Sequence, residues 1–209
     1  MTLQEQLNAY RNDPNHQLPP EAQSLLDAHI DALKNTIENY GLRHGEKAPD
    51  FTFSSSNQVE DHLYNYLNEG PLILTFVRGD WCSYCNLQLK AYETMMTKLT
   101  EKRAKLMVVS LQADEKEQNY AHLQFIKDTT GAIAKSYKVL YPIEAQLAQV
   151  YKNVNIDLAL KNTDGQWHLP ITATFIIDQK ALIRHTFIDT DFRNRMEPDS
   201  ILAILNIIS

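Results

Sequence analysis

Apolar positions near the start of the chain follow a helical period. Four of them are spaced 4, 3 and 4 residues apart, so they share one face of a predicted helix. They are Leu26, Ile30, Leu33 and Ile37. Pro19-Pro20 suits the start of this helix and Gly41 suits its end. A shorter helix is predicted before it, with Leu3, Leu7 and Tyr10 on one face.

The pattern changes after residue 50, where continuous apolar runs begin. Residues 72–77 and 106–111 each predict a strand that is buried on both faces. Between them lies a predicted helix of about 18 residues, since apolar side chains recur every three or four positions. Its face carries Cys85, Leu89, Tyr92, Met96 and Leu99. A strand, a helix and a strand in this order predict a parallel, right-handed βαβ unit.

The rest of the chain adds an antiparallel part. Helices are predicted near 115–127, 130–137 and 142–152, and residues 155–167 suggest a strand and a turn at Asp164-Gly165. Residues 173–178 and 181–188 are strands joined by so short a connection that they must form a hairpin. A final helix begins at Pro198. We therefore predict an α/β protein with a thioredoxin-like fold: a mixed central sheet flanked by helices.

The shift in pattern near residue 45 also predicts the domain organisation. Residues 1–44 form an N-terminal helical extension, and residues 45–209 form the thioredoxin-like domain. Residues 43–50, with Gly45 and Pro49, lie between them as a turn or linker.

Composition and charge narrow the function classes. The 209 residues carry a net charge of −6, with 44% apolar residues, as expected for a globular protein with no nucleic-acid partner. The N-terminus lacks the features of a signal peptide, and no apolar run is long enough to span a membrane. We therefore expect a cytoplasmic protein with no membrane partner.

The two cysteines are the candidate chemistry. Cys82 and Cys85 stand where a buried strand ends and a helix begins, so the helix N-terminus can stabilise a thiolate. Their spacing brings the sulfurs close enough to form a disulfide, and the chain has no other thiol. We expect Cys82 to be the more exposed thiol, Cys85 to begin the buried helix face, and Trp81 to lie beside the reactive sulfur.

The pair has two other interpretations. Zinc requires four ligands, and the seven histidines form no closely spaced pair, so we expect no metal and no cofactor. Alternatively, the two thiols simply pack in the core. A redox role fits the junction best.

Neighbouring residues have alternative roles as well. Arg78 either stabilises a thiolate or ends the strand as a charge reaching solvent. Tyr84 either donates a hydrogen bond or packs. His168 and His185 could approach the pair as proton carriers, but a lone histidine is more often structural.

Several segments resemble the peroxiredoxin-like branch of the AhpC/TSA (alkyl hydroperoxide reductase / thiol-specific antioxidant) family. They are Lys47-Ala48-Pro49-Asp50-Phe51, the stretch 76–86 (FVRGDWCSYCN), the stretch 109–112 (VSLQ) and the stretch 169–178 (LPITATFIID). The resemblance covers nearly the whole chain and implies a thioredoxin fold. It also implies thiol-dependent antioxidant chemistry with electrons from a cellular dithiol.

The chain departs from the usual pattern of that superfamily at four positions. In register with typical peroxiredoxins, Cys85 takes the place of the peroxide-reactive cysteine, Cys82 replaces a Thr and Arg78 replaces a Pro. Thr172 stands where thioredoxin-like proteins usually have a cis-proline, two residues after Pro170. Thr75 stands where thioredoxin has a buried Asp.

Three functional hypotheses follow. In the first, a thiol peroxidase, the Cys82 thiolate attacks a peroxide or disulfide and Cys85 closes the disulfide, although the peroxiredoxin register favours Cys85 as the nucleophile. A thioredoxin-like protein or glutathione then restores both thiols. The second hypothesis is a thiol–disulfide reductase acting on small disulfides without peroxidase activity. The third is a non-enzymatic redox sensor. The apolar face of the N-terminal segment packs on the domain or on a second subunit, as in a homodimer.

Overall fold

The structure, a computed structural model, describes residues 1–54, 60–112 and 120–208. Helix α1 (Leu3–Asn12) begins with a capping box, in which Thr2 and Glu5 satisfy each other's backbone N–H groups. Helix α2 (Pro20–Lys34) begins at the predicted proline and buries Leu26, Ile30 and Leu33. It stops earlier than predicted, so that Ile37 lies in a 3₁₀ turn (Ile37–Asn39) and Gly41, with a φ of 73°, turns the chain beyond it.

A five-stranded mixed sheet forms the centre of the molecule. Its strands are β3 (Leu72–Phe76), β4 (Lys105–Ser110), β5 (Gln124–Lys127), β8 (Ala173–Ile177) and β9 (Ile183–Ile188). Their order is β5-β4-β3-β8-β9. The pairs β3–β4 and β4–β5 are parallel, and β3–β8 and β8–β9 are antiparallel. The predicted βαβ pairing and the predicted hairpin are therefore confirmed.

Short elements surround this sheet. Two small antiparallel pairs are β1 (Thr52–Ser54) with β2 (Glu60–His62), and β6 (Leu140–Pro142) with β7 (His168–Pro170). The remaining helices are α3 (Leu63–Leu67), α4 (Ser83–Glu93), α5 (Met96–Glu101), α6 (Ala132–Ser136), α7 (Ala145–Asn153), α8 (Leu158–Lys161) and α9 (Pro198–Ile208). The described residues contain no helix that is both long and apolar enough to cross a membrane.

The long helix predicted after β3 is divided in two. Helix α4 ends at Glu93 and α5 begins at Met96. The Thr94 hydroxyl donates a hydrogen bond to the carbonyl of Ala91 (2.7 Å), a local bond that competes with continued helix. The break changes the register, so Met95 is buried where the uninterrupted period predicts Met96.

Two other predictions were wrong in part. Residues 124–127, predicted as the end of a helix, form strand β5, because pairing with β4 gives their backbone groups partners that the sequence does not reveal. The earlier part of that predicted helix, residues 115–119, lies outside the described residues. In 155–167 the turn is confirmed, with Gly165 at a φ of 69°, but helix α8 occurs in place of the strand.

Alternation along the strands separates two cores. Leu74, Phe76 and Phe175 face one apolar cluster, and Ile73 and Val77 face another. Helices α1, α4 and α9 cover the second face, where they contribute apolar side chains to the same cluster as both cysteines. Those side chains include Leu3, Leu7, Leu89, Tyr92, Ile201 and Leu205. The site therefore lies between the sheet and the N-terminal helix.

Candidate active site

The turn from β3 to α4 positions both cysteines. Gly79 has a φ of 136°, and a Cβ there would lie 2.1 Å from the Gln112 side-chain oxygen. That oxygen accepts a hydrogen bond from Trp81 Nε1 (3.0 Å), so the turn closes only around glycine. Cys82 is the N-cap residue of α4, and Cys85 lies in its first turn.

Both sulfurs are buried free thiols. Cys82 is 3% exposed and Cys85 is 0% exposed. Cys82 is the more exposed of the two, as predicted, but it is nearly as buried as Cys85, because side chains of the N-terminal segment and of residues 150–156 line the cavity at this end of the sheet. Burial of Cys85 at the start of the helix face is confirmed.

Hydrogen-bond donors converge on Cys85 rather than on Cys82. The Arg78 backbone N–H lies 3.5 Å from the Cys85 sulfur, and Arg195 Nη2 lies 3.4 Å from it. The Cys82 thiol is a further donor to the same sulfur. These groups favour a negative charge on Cys85.

The pKa values of the two thiols move in opposite directions. Burial works against ionisation of Cys85, but the hydrogen bond from Cys82, the charge of Arg195 and the Arg78 N–H hold its pKa well below the ordinary thiol value. The hydrogen bond to Cys85 and then burial raise the pKa of Cys82 well above that value. The expected state is a Cys85 thiolate beside a protonated Cys82.

Two buried guanidinium groups stand beside the sulfurs. Arg78 is 2% exposed and Arg195 is 4% exposed, and no carboxylate among the described residues pairs with either. A buried cation without a counter-ion is costly, and a thiolate supplies the missing negative charge. The alternative in which Arg78 reaches solvent was wrong.

Aromatic rings enclose the Arg78 guanidinium. Its carbon lies 3.9 Å from the ring centre of Phe192, 4.9 Å from that of Trp81 and 5.6 Å from that of Tyr151. Arg78 Nη2 also donates a hydrogen bond to the Tyr151 hydroxyl, whereas its Nε has no partner among the described residues. The rings fix the cation near the cysteine pair.

A buried polar chain supports Arg195 from behind. Arg195 Nε donates to the Gln88 side-chain oxygen (2.8 Å), and Gln88 Nε2 donates to the Thr75 hydroxyl (3.1 Å). The Thr75 and Thr174 hydroxyl oxygens are 3.0 Å apart. Thr75 therefore helps to position Arg195, and through it the contact with Cys85, by way of the Gln88 amide.

A cavity of about 500 Å³ opens beside Cys82. Arg78, Trp81 and Tyr84 line it together with Cys82, whereas Cys85 does not. Trp81, predicted to lie beside the reactive sulfur, thus shares a cavity with Cys82. The rings of Tyr10 and Phe192 pack edge-on against Tyr84, at 5.1 and 5.6 Å between ring centres.

The remaining predicted residues lie outside the cavity lining. Thr172 is buried directly before the start of β8, near the end of β3, and its hydroxyl has no partner among the described residues. The His168 ring nitrogen lies 2.9 Å from a carboxylate oxygen of Asp164. Burial lowers the pKa of His185, which neighbours His44. No group of metal-ligating side chains occurs within the described ranges.

Sequence reasoning missed Arg195, Gln88, Tyr151 and Phe192. Arg195 lies 110 residues from Cys85 in an irregular segment, where no periodicity marks it. Gln88 did carry a signal, because it is a polar residue one turn after Cys85 and adjoins the apolar face of α4.

Solved structures share this fold. Peroxidoxin BcpB of Mycobacterium tuberculosis is 18% identical with a TM-score of 0.58, covering 80% of this chain and 99% of that one. A peroxiredoxin-like protein of Aquifex aeolicus is 14% identical with a TM-score of 0.61, covering 81% and 89%. A reduced 2-Cys peroxiredoxin of Plasmodium vivax is 16% identical with a TM-score of 0.57, covering 80% and 96%. At this identity the likeness establishes the thioredoxin-like fold of peroxiredoxins.

Family membership follows from the sequence match. Residues 44–186, more than half of the chain, match the AhpC/TSA family, and the chain belongs to that family. It is accordingly a peroxiredoxin-like thiol oxidoreductase with an antioxidant role. No curated protein matches the chain.

Proposed function

We propose that the protein is a thiol peroxidase in which Cys85 is the nucleophile and Cys82 is the resolving thiol. The observation that carries this assignment is the set of donors around the Cys85 sulfur: the Arg195 guanidinium at 3.4 Å and the Arg78 N–H at 3.5 Å. It reverses the order of attack that the exposure argument from sequence favoured, and agrees with the peroxiredoxin register.

The first step forms a sulfenic acid. The Cys85 thiolate attacks one oxygen of a peroxide ROOH, the O–O bond breaks, and Cys85–SOH forms while RO⁻ leaves. RO⁻ takes up a proton and departs as ROH. Arg78, caged beside the sulfurs, is placed to stabilise the negative charge as it moves from sulfur to the leaving oxygen.

The second step closes a disulfide. The Cys82 thiol attacks the Cys85 sulfenic sulfur, water leaves, and the Cys82–Cys85 disulfide forms. A thioredoxin-like protein with two thiols, or two molecules of the monothiol glutathione, then returns two electrons and two protons and is itself oxidised to a disulfide. Because Cys82 lines the cavity, it is the sulfur that the reductant reaches first.

Trapping the sulfenic acid tests the assignment. Cys82→Ser and Cys85→Ser are treated with one equivalent of hydrogen peroxide and dimedone, and the adduct is located by mass spectrometry. Cys82→Ser should carry the adduct on Cys85, while Cys85→Ser should react far more slowly. An adduct found only on Cys82 contradicts the assignment. Absence of turnover with hydrogen peroxide and organic hydroperoxides alike contradicts the peroxidase.

A second candidate is a thiol–disulfide reductase. The observation that favours it is that Cys82 faces the cavity while Cys85 has no exposed surface, so a disulfide substrate contacts Cys82 first. Reduction of insulin distinguishes the two activities. A protein that consumes peroxide but leaves insulin oxidised is a peroxidase alone.

A further inference from the structure

The cavity beside Cys82 is lined by basic side chains but by no acidic one. Its walls come from residues 10–26, 78–84 and 150–156, and from residues 192 and 193. Within the part of the chain that the structure describes, no Asp or Glu is a lining residue. The basic lining residues are Arg11, His16, Arg78 and Arg193. Whether the cavity attracts an anion therefore depends on the partners of these four side chains.

Three of the four basic side chains already have an acidic partner. Asp191 lies 3.5 Å from Arg11 and 2.7 Å from Arg193. The His16 ring nitrogen lies 3.4 Å from a carboxylate oxygen of Asp13. Arg11 Nε has no hydrogen-bond partner among the described residues, but the Arg11 side chain is 34% exposed and its charge is already opposed by Asp191. These three side chains therefore attract an added anion only weakly.

Arg78 is the exception among the basic lining residues. It is buried, and no described carboxylate pairs with it. Its Nη2 donates a hydrogen bond to the Tyr151 hydroxyl, and its Nε has no partner among the described residues. Burial raises the pKa of Tyr151, so this hydroxyl keeps its proton and can donate it to a further acceptor. Arg78 and Tyr151 thus offer N–H and O–H donors to an oxyanion in the cavity.

One thiolate does not neutralise both buried guanidinium groups of the site. Arg195 Nη2 lies 3.4 Å from the Cys85 sulfur, whereas Arg78 contacts this sulfur through its backbone N–H. In the reduced site, the two guanidinium groups and the one thiolate therefore leave a net positive charge. Disulfide formation removes two electrons and the Cys82 proton, so the negative charge of Cys85 is lost. Both guanidinium groups then stay buried without the thiolate, which is costly.

The rest of the lining favours an apolar body on the anion. Tyr10, Trp81, Tyr84 and Phe192 contribute aromatic rings, and residues 150–156 contribute aliphatic side chains. Water gains few hydrogen bonds on such walls, so contact with an apolar group is favoured. The volume of about 500 Å³ is in the usual range for small organic ligands. A carboxylate on an apolar body matches both the buried charge and the walls.

We propose that this cavity binds an organic monocarboxylate with an apolar body, and that it does so more tightly when Cys82 and Cys85 form a disulfide. The carboxylate pairs with Arg78, and the body lies against the apolar walls. The ligand is not consumed, because no bond to it forms or breaks. The inference rests on the disulfide of the proposed function, but not on the reaction with peroxide. Since linkage is reciprocal, a ligand that prefers the disulfide form makes this disulfide harder to reduce.

Two probes with the same apolar body test the need for a negative charge. Octanoate and octanamide are titrated into the protein after oxidation with diamide, which accepts the two electrons, and calorimetry measures both dissociation constants. Octanoate should bind about tenfold or more tightly than octanamide, because a charge-assisted hydrogen bond is stronger than a neutral one. Equal dissociation constants, or no binding of octanoate, overturn the proposal.

Cysteine variants separate the charge of the thiolate from the disulfide bond itself. Oxidised wild-type protein should bind octanoate about tenfold more tightly than reduced wild-type protein. Under reducing conditions, Cys82→Ser keeps the Cys85 thiolate and should bind like reduced wild-type protein. Cys85→Ser lacks this thiolate and should bind like oxidised wild-type protein. Equal affinity in all four forms, or weak binding by Cys85→Ser, overturns the link to the redox state.

Arg78→Met tests the position of the carboxylate. This variant should lose the preference for octanoate over octanamide, whereas binding of octanamide shows that the cavity is still formed. Arg184→Met is the matched control, because Arg184 pairs with Asp178 and does not line the cavity. It should keep the preference. A preference that survives in Arg78→Met overturns the assignment.

The reduction potential of the disulfide gives an independent measurement. In equilibrium with dithiothreitol, saturating octanoate should lower this potential by about 30 mV for each tenfold preference for the oxidised form. An unchanged potential overturns the proposal. None of these measurements uses peroxide. A protein that shows the expected binding but turns over no peroxide retains the site and loses the proposed peroxidase, whereas a peroxidase that does not prefer octanoate loses only the site.

Discussion

The same strands form both faces of the central sheet, but the side chains on the two faces differ in kind. On one face, Phe76, Tyr137 and Phe175 form a ring cluster with centres 5.4 to 5.9 Å apart. On the other face, at the same level, Thr75 and Thr174 begin a polar chain that leads to Cys85. Successive residues of one strand point to opposite faces of the sheet, so one side chain faces the apolar core and the next faces the polar site.

This difference teaches where stability and chemistry reside. The ring cluster gains its energy from burial and packing, without a charge to compensate. The opposite face buries Arg195 and Gln88, which are costly unless each finds its partners. We expect substitutions on the first face to lower the free energy of unfolding. Substitutions on the second face should change the pKa and the reactivity of Cys85.

The largest effect should come from Phe175→Ala. Removing a fully buried ring should lower the free energy of unfolding by about 3–5 kcal/mol, measured by urea denaturation. The pKa of Cys85 should stay depressed, because no donor to its sulfur is touched. Leu160→Ala, at an 85% exposed site, should change stability by less than about 0.5 kcal/mol. A large rise in the pKa of Cys85 in Phe175→Ala would show that the two faces are not separable.

The next effect should come from Arg195→Met, which keeps an unbranched apolar stem but removes the guanidinium and its charge. A charge-assisted hydrogen bond contributes about 1.5–3 kcal/mol, so the second-order rate of Cys85 with peroxide should fall roughly 10- to 100-fold. Stopped-flow fluorescence measures this rate. Arg184→Met is the control, because Arg184 pairs with Asp178 at the hairpin turn. An equal fall of this rate in Arg195→Met and Arg184→Met would contradict a specific role of Arg195 at Cys85.

The sequence predicted the sheet and the location of the pair better than it predicted the surroundings of the pair. Strands β3, β4, β8 and β9 have apolar runs typical of buried strands, and the connections between them predict two of the pairings, parallel β3–β4 and antiparallel β8–β9. The strand-to-helix junction follows directly, so Cys82 and Cys85 were located correctly at the start of α4. Local pattern is sufficient for these features.

Features that depend on distant segments could not be predicted in this way. Burial of Cys82 depends on how residues 10–26 fold back over the junction, which no periodicity encodes. The relation of Arg195 to Cys85 depends on an irregular segment before α9. Strand β5 forms because its backbone pairs with the free edge of β4, and that edge exists only after the sheet has formed. In each case a tertiary contact decides the outcome.

The smallest effect concerns the hydrogen bond between the two cysteines. Cys82→Ser keeps a hydroxyl donor to Cys85, whereas Cys82→Ala removes the donor. Because such a bond contributes about 0.5–1.5 kcal/mol, the pKa of Cys85 should be higher in Cys82→Ala than in Cys82→Ser by up to roughly one unit. Thiolate absorbance at 240 nm, corrected with the double Cys→Ser variant, measures both values.

The pH dependence of the free energy of unfolding should also differ between Cys82→Ser and Cys82→Ala. A thiolate whose pKa is depressed by folding contributes stability that is fully present above the unfolded pKa and is lost as pH falls through the folded pKa. The contribution should therefore be smaller in Cys82→Ala than in Cys82→Ser at alkaline pH. Identical thiolate titrations in the two variants would mean that Arg195 and the Arg78 N–H stabilise the Cys85 thiolate without help from Cys82. The guanidinium and the backbone N–H alone would then distinguish the polar face of the sheet from the apolar face.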